Sequence, residues 1–265
     1  MHVRTAVVNG WSVTLEVNDA EAHAAFATDR LWCGYAIADL DPPFRAYSSV
    51  AVARRGTDTA ACLVLRHPAF AALVPHGPAE GLLALLRRID LPRAVHLFAR
   101  DEHLAPLRRH FDYSAPTPML RMAVDAESFR PVTGGAARLT PEDLPALLDV
   151  YSAYSGNAFQ ADQLAGGVFY GVRDGALLVA AGGTQVTSAR YGIAAVGNIY
   201  TRPEARGRGL ASAVTRAVVA ELLGGFCRNA ILNVAAANEP AIRVYTRLGF
   251  RTHCRHYEGA ATLRA

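Results

Sequence analysis

The chain has 265 residues, 51% hydrophobic and 19% charged, which suits one large or two ordinary globular domains with real cores. No apolar run approaches the roughly 20 residues of a membrane helix, and Met1-His-Val-Arg-Thr lacks the basic and apolar regions of a signal peptide, so a cytoplasmic protein without a membrane partner is expected. The net charge of +4 rests on 27 basic residues, all arginine and scattered along the chain, which argues against a nucleic-acid binder and leaves no lysine to act as a catalytic amine.

In the first half a helix is expected over residues 19–30, then an alternating strand over 47–53, a tight turn and a strand over 60–65. A helix over 79–88, a strand over 94–99, a helix over 102–110 and a strand over 119–124 follow. Residues 128–136 contain Arg-Pro-Val-Thr-Gly-Gly, which is linker chemistry, and divide the chain into domains 1–130 and 136–265.

Beyond the linker, Arg138-Leu-Thr-Pro-Glu-Asp predicts a short strand and a helix start, with Thr140 as N-cap and Pro141 at the first helical position. Leu144, Leu147, Leu148 and Tyr151 continue at helical spacing, and a short helix covers 160–165. Strands over 169–172 and 176–181 are joined by Arg173-Asp174-Gly175, a hairpin signal. An apolar strand over 193–201 stops before Pro203, and a loop with Gly207 and Gly209 leads into a helix over 210–223 that Gly224-Gly225 ends. Leu210, Val214, Val218 and Leu222 give that helix one buried stripe. A strand over 230–235 and the run Asn238-Glu-Pro-Ala-Ile-Arg-Val-Tyr-Thr-Arg-Leu-Gly-Phe250 close the pattern.

A strand, a glycine-bearing loop and a helix N-terminus together make a phosphate cradle, because the glycines admit an anion to the backbone and the first helical turn has free N–H groups. Taken alone, the same residues also fit a plain strand-to-helix turn. Arg206-x-x-Gly209-x-Ala211 resembles the pyrophosphate loop of the GCN5-related N-acetyltransferases, which hold acyl-coenzyme A. Asn238, Ala241-Ile242, Tyr245 and Leu248-Gly249-Phe250 resemble the second signature of that family, in the right order downstream.

The resemblance implies an α/β (α+β) fold with a mixed, mostly antiparallel central sheet flanked by helices, in two tandem halves. The second half would be catalytic. The first echoes its element order but lacks its motifs, since Pro75-His-Gly-Pro-Ala-Glu-Gly81 has no Arg-x-x-Gly-x-Ala, and is expected to be a degenerate copy without cofactor.

By the same resemblance Arg206, Gly207, Arg208, Gly209, Leu210 and Ala211 hold the pyrophosphate, the two arginines either contacting it or remaining solvated. Ile199, Tyr200 and Thr201 offer main chain to the pantetheine arm, and Gly197-Asn198 is either a bulge or ordinary strand. Asn238 caps its helix and bonds the pantetheine, with Asn233 as a second candidate. Tyr245 is the catalytic proton donor to the departing thiolate, or alternatively a core tyrosine beside Leu248. The glutamate that many members carry before the phosphate loop is absent from Ile-Ala-Ala-Val-Gly-Asn-Ile-Tyr-Thr, so the base is unassigned, with His253, His256 and Glu239 as substitutes. Tyr151, Tyr154 and Phe159, with Trp32 and Tyr35 from the first half, are candidates for the acceptor pocket.

The expected activity is transfer of an acetyl group from acetyl-CoA, a co-substrate, to a primary amine by direct attack through a tetrahedral intermediate. The acceptor is a small-molecule amine, an amino-acid-like molecule or a peptide. No metal is expected from His253, Cys254 and His256, and a homodimer is left open. The alternative is a non-catalytic acyl-CoA sensor or interaction module.

Overall fold

The computed structural model describes residues 5–131, 135–152 and 159–265. Two compact units divide the chain: unit 1 holds residues 1–120 together with 254–265, and unit 2 holds 121–253. The division is not the one at 128–136 that the glycines suggested. The C-terminal segment pairs with a strand of unit 1, and a run of ladder hydrogen bonds outweighs local linker composition in deciding where a unit ends.

The elements run β1 (Thr5–Val8), β2 (Trp11–Thr14), α1 (Asp19–Phe26), α2 (Gly34–Ala38), β3 (Ser48–Arg55), β4 (Asp58–His67), β5 (Phe70–His76), α3 (Ala79–Leu86), β6 (Ala94–Ala99), α4 (Asp101–His110), β7 (Phe111–Asp112) and β8 (Thr117–Val124). They continue with β9 (Ala137–Arg138), α5 (Leu144–Ser152), α6 (Ala161–Gly166), β10 (Phe169–Asp174), β11 (Leu177–Ser188), β12 (Ile193–Thr201), α7 (Leu210–Gly224), β13 (Asn229–Ala235), α8 (Glu239–Arg247) and β14 (Arg251–Leu263). The order strand, two helices, three strands, helix, strand, helix, strand therefore occurs twice. The fold is mixed α/β, its sheet mostly antiparallel and flanked by helices.

In unit 1, β1 to β5 form an antiparallel meander, β5 joins β6 in parallel, and β6 pairs antiparallel with Tyr257–Thr262 of β14. Asn9 and Gly10 both have positive φ, the backbone that a two-residue hairpin turn needs, and they fold β1 onto β2. Asn18 caps α1 by accepting from the Glu21 N–H at 2.9 Å. Trp11, Leu82, Leu85, Leu107, Phe111 and Tyr113 anchor the core.

In unit 2 the strand order is β8, β13, β12, β11, β10, β9. β9 to β12 are antiparallel neighbours, whereas β12 and β13 are parallel. Thr140 and Asp143 cap the turn into α5 reciprocally, the Thr140 N–H reaching Asp143 Oδ2 at 2.9 Å. Leu147 and Tyr151 of α5 are buried as the spacing predicted, but Leu148 is 51% exposed. On α7, Val214, Val218 and Leu222 are fully buried. Each stabilises the packing of the helix on the sheet by roughly 1.5–3 kcal/mol.

Candidate active site

The site grows from a defect in the sheet of unit 2. β12 and β13 are registered at Ile193 with Asn229, Ala194 with Ala230 and Ala195 with Ile231, and among the described residues the pairing goes no further. Val196–Thr201 and Leu232–Ala235 consequently lie beyond the shared ladder. On the other side of β12 the register with β11 slips, with Gly197 opposite Gly183 but Tyr200 opposite Ala181. One extra residue of β12 is accommodated there, and Asn198 takes a φ of +54°. The bulge reading of Gly197-Asn198 is the one that holds. Tyr151 fixes it from α5 by donating its hydroxyl to the Asn198 carbonyl at 2.6 Å, while the Asn198 side-chain amide donates to Gln163 Oε1 at 3.1 Å.

Ile199, Tyr200 and Thr201 form the strand end that the bulge turns outward. Thr201 Oγ1 is buried with no hydrogen-bond partner among the described residues. Such an orphan hydroxyl costs about 1–3 kcal/mol unless a ligand satisfies it. Thr201 thus carries a signal that the sequence did not single out from its neighbours.

Past a short helical turn at Pro203–Ala205, Gly207 and Gly209 have φ of +77° and +76°. A Cβ at either would meet nothing within 4 Å, so the loop faces open space. Gly209 is the N-cap of α7 and supplies no side chain to the helix end. The N–H groups from Gly207 through Arg208, Gly209, Leu210 and Ala211 to Ser212 have no acceptor among the described residues. A loop of unpaired amides at the positive end of a 15-residue helix has the donors and the field that an anion would need. The arginine side chains are engaged in the protein: Arg206 donates to the Thr201 carbonyl at 3.2 Å, and Arg208 pairs with Asp174 at 3.1 Å. The main chain makes the cradle.

Asn238 caps α8, its Oδ1 accepting from the Ala241 N–H at 3.3 Å. Asn233 sits half-buried on β13 in the stretch beyond the ladder. Tyr245 is 9% exposed on α8, its ring 5.9 Å from that of Phe250. It therefore has a packing partner as well as a remnant of accessible surface, and both readings of its role keep a footing.

Other expectations are corrected. Tyr151 and Phe159 pack with their rings tilted, 5.1 Å apart, within the core of unit 2 rather than walling a pocket. Tyr154 lies outside the described residues. Trp32 is fully buried in unit 1, and Tyr35 stacks on Phe98 at 5.8 Å. His253 is exposed in unit 2, whereas His256 belongs to unit 1, where its Nε2 lies 2.8 Å from Glu258 Oε1. His256 and His96 hold the Glu258 carboxyl down at about 2, against the opposing effect of burial. Glu239 pairs with Arg243 one turn along α8. Among the described residues no group of three or more His, Cys, Asp or Glu could hold a metal, and no helix is long and apolar enough to cross a membrane.

Unit 1 repeats the splay without the cradle. β5 and β6 pair only at Ala72 with His96 and Leu73 with Leu97. Trp32 fills the gap, its indole N–H donating to the Pro75 carbonyl at 2.9 Å, and His103 Nε2 lies 3.1 Å from the Gly77 carbonyl. Only Gly77 and Pro78 separate β5 from α3, and a Cβ on Gly77 would come within 2.3 Å of the Thr59 carbonyl. No anion loop exists there.

Comparison with known proteins agrees with this geometry. The family model described as FR47-like protein matches residues 170–258, which contain the bulge, the cradle and α8. A mycothiol acetyltransferase from Acidothermus cellulolyticus is 28% identical over an alignment covering 91% of this chain and 77% of that protein. A GCN5-related N-acetyltransferase from Kribbella flavida is similar in structure, with a TM-score of 0.57 at 17% identity over 77% of this chain and 90% of that one. A tandem GNAT protein from the clavulanic acid biosynthesis pathway gives 0.52 at 14% identity over 96% and 98%. With two such units, one cradle and both signatures, the chain is similar to the GCN5-related N-acetyltransferases in fold and in motif.

Proposed function

We propose that the protein transfers an acetyl group from acetyl-CoA to a primary amine of a small or amino-acid-like acceptor, or of a peptide, using unit 2. The observation that supports this most is the conjunction of unpaired amides over Gly207–Ser212 with the orphan Thr201 hydroxyl beside the splay. Acetyl-CoA supplies a thioester, a carbonyl activated toward amines with a stable thiolate as leaving group. The amides and the α7 dipole bind and orient the diphosphate, while the end of β12 offers edge main chain and the Thr201 hydroxyl to the amide-bearing arm. The amine nitrogen forms its bond to the carbonyl carbon, giving a tetrahedral intermediate; the surplus ammonium proton passes to water, and collapse of the intermediate breaks the carbon–sulfur bond and releases the thiolate. The Tyr245 hydroxyl holds the thiolate by a hydrogen bond that strengthens as charge grows on sulfur. Full proton transfer from a phenol near 10 to a thiolate near 8.5 would be mildly uphill.

β12 has no carboxylate, so the amine has to arrive neutral or lose its proton through water. An amine near pKa 10 is only about one part in a thousand neutral at pH 7. kcat/KM is therefore expected to climb about tenfold per pH unit from 6 to 9. The test is acetyl-CoA turnover against amines, amino acids, peptides and mycothiol-type acceptors, the last because of the name of the relative. Tyr245→Phe should lower kcat far more than it raises KM. Equal losses would make Tyr245 a packing residue. The missing carboxylate also favours a second reading, an acyl-CoA sensor, and tight binding without turnover on any acceptor would select it.

A further inference from the structure

Unit 1 holds a cavity whose lining is remote in sequence from every residue of the cradle. Beyond the end of α3 at Leu86, a cavity of about 680 Å³ opens against β3 and β4. That size is within the roughly 300–1,000 Å³ of sites for small molecules. Leu15 and Ile89, both half-buried, give it apolar surface, and Val50, Val64, Ala51 and Cys62 lie behind them, buried in the sheet. Burial pushes the Cys62 thiol up, away from thiolate chemistry, so its contribution is shape rather than reactivity.

The charges at the mouth separate into two kinds. Arg66 is committed: it donates to Ser49 Oγ at 3.0 Å and to the Asp90 carbonyl, and lies 3.7 Å from the Asp90 carboxylate. Arg88 and Glu16 also line the cavity, and neither side chain has an ion pair or hydrogen bond among the described residues. The cavity thus offers one uncommitted cation, one uncommitted anion and apolar surface for a hydrocarbon group. A plain carboxylic acid would leave Glu16 opposing it, and a plain amine would leave Arg88. A molecule carrying both charges answers both groups.

We propose that this cavity binds a zwitterionic amino acid with an apolar side chain, its carboxylate on Arg88, its ammonium on Glu16 and its side chain against Leu15 and Ile89. The site is independent of acyl-CoA.

The test is calorimetric titration of the whole chain with L-leucine and L-phenylalanine, against N-acetyl-leucine, which lacks the ammonium, and leucinamide, which lacks the carboxylate. Leucine and phenylalanine should bind, and each blocked compound should bind about tenfold more weakly. Arg88→Gln should erase the difference between leucine and leucinamide, and Glu16→Gln that between leucine and N-acetyl-leucine. Both side chains are exposed, so the variants should fold. An amino acid could also enter unit 2 as acceptor, and binding indifferent to both substitutions would place it there and overturn the proposal. Absence of binding by either amino acid at about 10 mM would overturn it as well. Gly209→Glu should leave leucine binding unchanged, so failure of the acetyl-CoA reading is distinguishable from failure of this one.

Discussion

Gly209 is the position where cofactor binding and folding separate most cleanly. Its φ of +76° lies where an L-residue is strained by roughly 1–2 kcal/mol, yet a Cβ there meets nothing within 4 Å. Gly209→Ala should therefore lower stability by about 1 kcal/mol, a fall of roughly 2–4 °C in Tm for a chain of this size, without steric damage. The strain is present in free and bound protein alike, so affinity for CoA should weaken only severalfold. Gly209→Glu adds the same strain and a carboxylate in the cradle. At about 6 Å from two phosphate charges, with an effective dielectric of about 40, each pair repels by ~1.4 kcal/mol. The sum of ~3 kcal/mol corresponds to a Kd raised about a hundredfold. Titration calorimetry with CoA and desulfo-CoA, alongside thermal melts, reads both quantities. If Gly209→Glu binds CoA as tightly as Gly209→Ala does, the Gly207–Ser212 amides are a turn and not an anion site.

Thr201→Val removes a buried hydroxyl that nothing satisfies in the free chain, so Tm should hold or rise while CoA affinity falls about fivefold; a lower Tm with unchanged affinity would mark an ordinary structural threonine. Asp39 is 5% exposed with Oδ1 unpartnered, and burial raises its carboxyl from 3.8 to about 7. The folded state keeps a proton that the unfolded chain releases above about 4, so stability should be highest below pH 4 on this account and fall as pH rises to 7, by up to ~4 kcal/mol. Asp39→Asn should abolish that slope, and urea titrations at pH 5 and 8 showing the same slope in both proteins would refute the assignment. Because Trp32 fills the splay of unit 1, CoA should bind one molecule per chain, and a second equivalent in the calorimeter would contradict the plugged geometry.

Much of unit 2 was legible because its signals are local. Thr140 with Asp143, the Gly175 hairpin, the glycine loop and Asn238 each fix a few neighbouring dihedrals, and the structure places elements where they point. Unit 1 was harder. No strand was expected over β5, which has Pro68 before it and Pro75 within it, yet Pro75 sits in register with Cys62 because the ladder tolerates a missing donor at the end of a strand. The β1–β2 hairpin did carry a signal, Asn9-Gly10, that the short flanking strands obscured. Asp39 had none, and Thr201 and Trp32, though named as candidates, had none for what their side chains do. Whether a hydroxyl is satisfied, an indole fills a gap or a carboxyl is desolvated depends on partners distant in sequence. The missing carboxylate of β12 was legible, since an absence within a known strand needs no fold to be seen.

The last strand has a consequence for how the molecule is made. Tyr257–Thr262 completes the sheet of unit 1 against β6, yet a ribosome synthesises these residues only after all of unit 2. Unit 2 can acquire its full set of strands from 121–253 while unit 1 still waits, with β6 an open edge, for a segment translated more than a hundred residues later. A nascent chain halted before residue 254 would present that edge to any passing strand, and a fragment beginning at 136 would carry off a piece of another sheet. The two halves look like a simple tandem in sequence, but neither can be cut out by a single break in the chain.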